Sequence, residues 1–317
     1  MNFPSTRSLR PLAAALLLCT LAACGGGGGR DEVLGFDGTA APGLPVVVTP
    51  GVTPASPSAP APGAIALASA APFGAFGGSA GITNQGINTV INNGAIGTTA
   101  VSTAVTGFHD AGPGCTYTEV LTPAGNIGNV TGGIFTAPPP PTGACPSEGT
   151  ATTFSIATKA RADALVAYNA MVAKPAGAAA GGGTGNLAGL TLAPGTYTSA
   201  PGSFMIQGGD LTLDGQGDAN SVWVFQMATT LTVGGPGAAF PSSVILANGA
   251  QAKNVFWQVG SAATINAAGG GTMVGTIISQ AGAAISTAGN AAVATINGRV
   301  LSLNASVTMV NTVINVP

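Results

Sequence analysis

The side chains able to do chemistry are few and far apart. The 317 residues contain one histidine, His109. Metal binding or proton transfer centred on imidazole is therefore nearly excluded. The acids Asp110, Glu119, Glu148, Asp163, Asp210, Asp214 and Asp218 are scattered along the chain. Bond hydrolysis needs carboxylates and bases gathered at one point, and no spacing here gathers them. Asp210 and Asp214 stand near each other, in sequence suited to turns. No catalytic residue, metal ligand or cofactor is assigned, and an enzyme is not expected. Two carboxylates converging in a cleft beside an Arg or Lys would reverse that reading.

The four cysteines, Cys19, Cys24, Cys115 and Cys145, carry more information. Residues 1–24 read as a targeting segment, with Arg7 and Arg10 followed by an apolar run too short to span a bilayer. It ends in Leu21, Ala22, Ala23 and Cys24, a tetrad that resembles the bacterial lipobox. That resemblance implies cleavage before Cys24 and acylation of its thiol and amine. An ordinary secretory signal with an incidental cysteine is the alternative. Several acyl chains on one cysteine make a stable membrane anchor. Gly25, rather than Asp, follows the cysteine, which resembles lipoproteins sent to the outer membrane. The expected location is thus the cell envelope, outer membrane, facing outward. Cys115 and Cys145 remain, and in an exported chain a disulfide is the natural reading. It closes a loop of about 30 residues and adds roughly 3–4 kcal/mol. A metal or redox pair is the alternative.

Composition constrains the surface. Charged residues are 6% of the chain, against a usual share of about 25%. Glycine contributes 50 residues, and the net charge is −2. Exposed positions must then be mostly Thr, Ser, Asn, Gln, Ala and Gly. No basic patch exists, so a nucleic-acid partner is excluded. Residues 25–63, with the glycine run 25–29 and prolines at 42, 45, 50, 54, 57, 60 and 62, read as a tether. A domain is expected over 64–317.

Within it, residues 64–108 alternate apolar residues with Thr and Asn, the period of half-buried strands. Residues 109–150 interrupt the pattern with Thr- and Pro-rich sequence between Cys115 and Cys145. Residues 154–173 predict a helix, dense in Ala and free of Gly and Pro. Ala157, Ala160, Ala164, Tyr168 and Met171 form its apolar stripe. From Leu190 short strands return and run to the end. Segments starting at Val255, Gly275 and Gly298 can be superposed, their starts 20 and 23 residues apart. Such repeats indicate a solenoid whose coils have three strand-like sides.

Alternation points Leu211, Leu213, Leu231, Val233, Ile265, Ile285 and Met309 inward. It sends Thr212, Asp214, Thr230, Thr232, Thr264, Asn266, Ala284, Ser286 and Thr308 outward. A second wall offers Thr272, Thr295 and Thr312. A third, with Phe256, Ile278 and Leu301 outward, is the seat for the helix, and Trp257 belongs to the core. Stacked strands set outward groups about 4.8 Å apart across coils and about 6.6–7 Å apart along each strand. These spacings lie close to repeats of hexagonal ice, and an uncharged array of methyls and hydroxyls can hold water in such positions. Thr is also favoured on any half-exposed sheet, so the pattern does not select the wall.

Three longer runs carry a family resemblance: Leu192–Tyr197, Leu211–Gln226 and Asn248–Gly260. Together with Gly275-Thr-Ile and Asn297-Gly-Arg299, they are similar to the microbial ice-binding (antifreeze) proteins over residues 65–317. The resemblance implies a mainly β fold: a right-handed, discontinuous β-solenoid of triangular section with one long α-helix along one side. It implies adsorption to ice through a flat wall not covered by the helix, no enzymatic activity and no cofactor. Gly215, Asp218 and Asn220 become turn formers, while Trp257 and Gln258 belong to a coil. The expected partners are an ice surface and, through Cys24, a membrane, with the protein a monomer. A non-ice adhesin or structural envelope lipoprotein on the same scaffold is the competing reading.

Overall fold

The computed structural model describes residues 63–110, 115–117, 127–143, 145–235 and 241–317. The expected leader, the expected lipidation site Cys24 and the expected tether up to residue 62 lie outside them.

Short strands stack in parallel into three walls of a β-solenoid, and one helix lies against one wall. Inward positions are apolar and fully buried, as at Leu211, Leu213, Leu231, Val233, Ile265, Ile285 and Met309. They belong to one continuous core that contains an aromatic cluster. Phe225 stacks on Trp257 with centroids 4.0 Å apart, and Phe204 meets Phe225 edge-on at 5.9 Å. Each buried indole N–H is satisfied: Trp223 donates to Leu192 O (3.2 Å) and Trp257 to Val274 O (2.9 Å).

The coils do not follow chain order. The C-terminal strand Val307–Met309 pairs with Ile82–Asn84, and Thr312–Asn315 pairs with Val90–Asn92. The N-terminal part of the domain therefore finishes the stack that the C-terminal part builds. Within 109–150, Gly128–Val130 and Ile134–Ala137 pair with Val90–Asn92 and Ala95–Val101. That stretch is thus partly solenoid. The Cys115–Cys145 disulfide is formed, with its Cα atoms 5.6 Å apart.

Two long strands, Thr272–Ser279 and Ala294–Ser302, run from one wall around a corner onto the next. Gly275 and Gly298 sit opposite each other at that corner. A Cβ on Gly298 would overlap the Gly275 carbonyl oxygen, so only glycine lets the two backbones approach there.

The helix spans Ala151–Val172, three residues earlier at its start than the Ala-rich run suggests. The reason is a reciprocal cap. Thr153 N–H donates to Thr150 Oγ1 (3.2 Å), and Thr150 N–H donates to Thr153 Oγ1 (2.8 Å). The stripe Ala157, Ala160, Ala164, Ala167, Tyr168 and Met171 is buried against Val224, Phe256, Ile278, Leu301 and Phe76. Small side chains on the helix let it lie close to the larger ones on the wall. Glutamines from two neighbouring strands fix its C-terminal end. Gln226 Nε2 donates to Met171 O (2.7 Å), and Gln258 Nε2 donates to Tyr168 OH (2.7 Å).

Candidate functional site

Two walls are free of the helix, and they are built differently. One is a single seven-stranded parallel sheet of very short strands: Phe204–Ile206, Leu231–Val233, Ala263–Ile265, Ala283–Ile285, Val307–Met309, Ile82–Asn84 and Val105–Thr106. Each strand offers one outward side chain. In register these are Met205, Thr232, Thr264, Ala284, Thr308, Thr83 and Thr106. All seven are partly exposed. Backbone bonds from Leu231 N to Ala262 O, Ala263 N to Gly282 O, Ala283 N to Ser306 O and Val307 N to Gly81 O carry the ladder one residue further. They add a second column, Thr230, Ala262, Gly282, Ser306 and Gly81, of small residues. No charge stands in either column.

The other free wall is split. Thr191, Thr212 and Ile245 share a three-stranded sheet, while Thr272, Thr295, Val313, Val90 and Asn129 belong to the larger sheet. The ladder breaks between Val244–Ala247 and Thr272–Ser279. Beside the outward column runs a hydrogen-bonded asparagine row. Asn92 Nδ2 donates to Asn315 Oδ1, and Asn315 Nδ2 to Asn297 Oδ1, both at 2.9 Å.

The structure redistributes the residues singled out from sequence. Thr232, Thr264, Ala284 and Thr308 fall in one register on the continuous wall, with Thr230 at its rim. Thr212 and Asp214 lie on the split wall instead. Asp214 is engaged in a turn: its Oδ1 accepts from Gln216 N (2.9 Å) and Asn248 Nδ2 (2.8 Å). Those bonds, the backbone one first, hold its carboxyl below the usual carboxylate range. Asp210 likewise accepts from Ser243 N (2.7 Å).

Asn266 and Ser286 are not displayed. Both are buried with positive φ, 43° and 61°, so each is the corner where the chain leaves the wall. Asn266 braces the coil below, accepting from Ser242 N and donating to Ser242 O, both at 3.1 Å. Asparagine tolerates the left-handed backbone and supplies both bonds at once. Asn311 does the same elsewhere, accepting from Ile87 N and Asn88 N at 3.0 Å each. Thr272 and Thr295 are adjacent on the split wall, but Thr312 is fully buried and its Oγ1 bonds Val310 O. Strand parity turns Val313 outward in its place.

Thr83 and Thr106 were not singled out from sequence. The signal is present: Ile82-Thr-Asn and Val105-Thr repeat the pattern of Leu231-Thr-Val. Only the chain-order break shows that they extend the same column.

Residues 76–315 match the model of the ice-binding-like family. The chain belongs to that family. A 223-residue stretch is 32% identical to ice-binding protein K1-A of Typhula ishikariensis, over 67% of this chain and 77% of that protein. Ice-binding protein 1 of Shewanella frigidimarina is 42% identical over 101 residues, which span 32% of this chain and 11% of that protein. Among solved structures, the ice-binding protein of the Antarctic ascomycete Antarctomyces psychrotrophicus superposes with a TM-score of 0.59 at 34% identity. The match covers 80% of this chain and 98% of that one. The β-solenoid with one flanking helix is thus the fold of this chain and of its ice-binding-like relatives.

Proposed function

We propose that this protein adsorbs to ice through the continuous short-strand wall, and so inhibits ice growth or recrystallisation. The observation that carries the reading is the unbroken register of seven strands bearing Thr at five of seven outward positions, with no charge and no helix over it. Thr presents a methyl and a hydroxyl on a stiff, β-branched stem. A row of them about 4.8 Å apart can hold a layer of water in fixed positions. Asn266 and Asn311 tie the corners beside the row to other segments of the stack.

The relatives named for ice binding support the same reading. The purified protein is expected to shape ice crystals or to arrest the coarsening of fine ice grains. Absence of both effects at high protein concentration would sink the proposal.

The leader and lipobox extend it. We infer that the chain is exported, acylated at Cys24 and held off the outer membrane by the tether, as a monomer that limits ice at the cell surface or attaches the cell to it. Incorporation of labelled acyl chain should be lost in Cys24→Ala. Label retained in that variant would refute the anchor.

A further inference from the structure

The end of the solenoid where Phe108–Asp110 closes the large sheet holds a feature that ice adsorption does not use. An inward column of the coils runs through Met273, Ile296, Ile314, Ile91 and Val130 and ends on Asp110. A carboxylate thus occupies a position that every preceding coil fills with an apolar side chain. Asp110 is 6% exposed. Glu148, two residues before the helix cap Thr150, is 7% exposed, and its carboxylate oxygen comes within 4.8 Å of that of Asp110.

Two hydroxyls join them. Tyr117 and Thr136 are both fully buried, and burial together with the neighbouring Glu148 raises the Tyr117 hydroxyl above its ordinary value. Asp110 Oδ1, Glu148 Oε2, Tyr117 OH and Thr136 Oγ1 all lack a hydrogen-bond partner among the described residues. Neither acid takes part in an ion pair among them. Cys115 Sγ borders the cluster but is committed to the disulfide. That bridge brings together the segments carrying Tyr117 and Glu148.

We propose that Asp110, Glu148, Tyr117 and Thr136 contribute the protein oxygens of a calcium site that ties the disulfide-linked segments to the last coil of the solenoid. Two buried carboxylates need a compensating positive charge. A shared proton, toward which burial and the neighbouring Asp110 push the Glu148 carboxyl by raising it to about 8, neutralises one of them and leaves the other charged. A divalent cation between the two carboxylates neutralises both and can take the orphaned hydroxyl oxygens as further ligands. Every donor is a hard oxygen, the chemistry of calcium or magnesium. Magnesium keeps several of its waters and demands a regular octahedron. The buried, mixed carboxylate–hydroxyl setting favours calcium, with backbone carbonyls and water filling the rest of its shell.

The test uses chelator-treated, metal-free protein, titrated with calcium and separately with magnesium while heat of binding and Tm are followed. One saturable calcium site is expected, with Tm rising for each decade of calcium above Kd and little response to magnesium. Asp110→Asn and Glu148→Gln should abolish the calcium-dependent rise. Their metal-free Tm should equal or exceed that of the wild type, because one buried charge is gone.

Should either variant fail to fold, terbium bound to the wild-type protein supplies the readout. Excitation of Tyr117 beside the ion should sensitise terbium emission, and Tyr117→Phe should lose most of it. A wild-type Tm that stays flat up to about 10 mM calcium, well above the range of weak protein calcium sites, would overturn the proposal and leave a proton or a trapped water as the occupant. Equal responses to calcium and magnesium would overturn the calcium assignment.

Discussion

Thr264→Tyr places a ring at the centre of the proposed ice-contacting wall. Thr264 sits between Thr232 and Ala284 in the outward column, so its neighbours are each about 4.8 Å away. A tyrosine ring stands well above the height of a Thr methyl. It lifts a flat partner surface off its own position and off both neighbours. Three methyl contacts are lost, each worth about 0.8 kcal/mol. The sum of about 2.4 kcal/mol corresponds to about a fiftyfold weaker adsorption constant. Thr264 is only partly buried, so the fold should be affected by no more than about 0.5 kcal/mol. The assay is the lowest protein concentration that arrests coarsening of ice grains, read beside Tm. That concentration should rise about fiftyfold in Thr264→Tyr while Tm holds. Thr295→Tyr, on the split wall, should leave it unchanged. A folded Thr264→Tyr protein with undiminished activity would refute the assignment, and loss confined to Thr295→Tyr would transfer the function to the other wall.

Other consequences concern the scaffold. Leu301→Ala opens a cavity in the fully buried seat of the helix and should cost about 2–5 kcal/mol, seen as a lower denaturant midpoint at unchanged m-value; an unchanged midpoint would mean the helix is not packed there. Reducing the Cys115–Cys145 bridge, or replacing both cysteines by Ala, releases a constraint across a sequence separation of 30 and should cost about 3–4 kcal/mol, which thermal unfolding with and without reductant would reveal. Asp163 gives a pH signature. Burial raises its carboxyl, but bonds from Lys159 and from Ser69 outweigh this and hold it below its usual value of 3.8. Its contribution is therefore present above about pH 4 and lost as pH falls through the depressed folded value. The acid limb of wild-type stability should flatten in Asp163→Asn, and an identical limb would remove Asp163 from that account.

Much of the fold was legible because its physical signals are local. Alternation of Leu211, Leu213, Leu231 and Val233 with polar neighbours places the core without any long-range information. The alanine stripe and the apolar outward row Phe256, Ile278 and Leu301 identify helix and seat as complementary surfaces. The start of the helix was less legible, because its cap is made by two threonines rather than by the usual acidic partner.

What the sequence by itself determined is which residues face in, that coils form, and that one helix covers one side. Those follow from side-chain period and composition. The tertiary structure alone decided which outward residues share a wall. Thr212 and Thr232 look equivalent in a strand-by-strand reading, yet the left-handed turn at Gln216 and Gly217 and the bend after Met227 send them to different walls. Parity marks Asn266 and Ser286 as outward, but a positive φ turns each into a buried bracket. Thr83 and Thr106 join Thr308 across a break in chain order that no local pattern encodes. Membership of a wall depends on where each corner falls and which coils are neighbours. Both are set by hydrogen bonds between residues far apart in the chain.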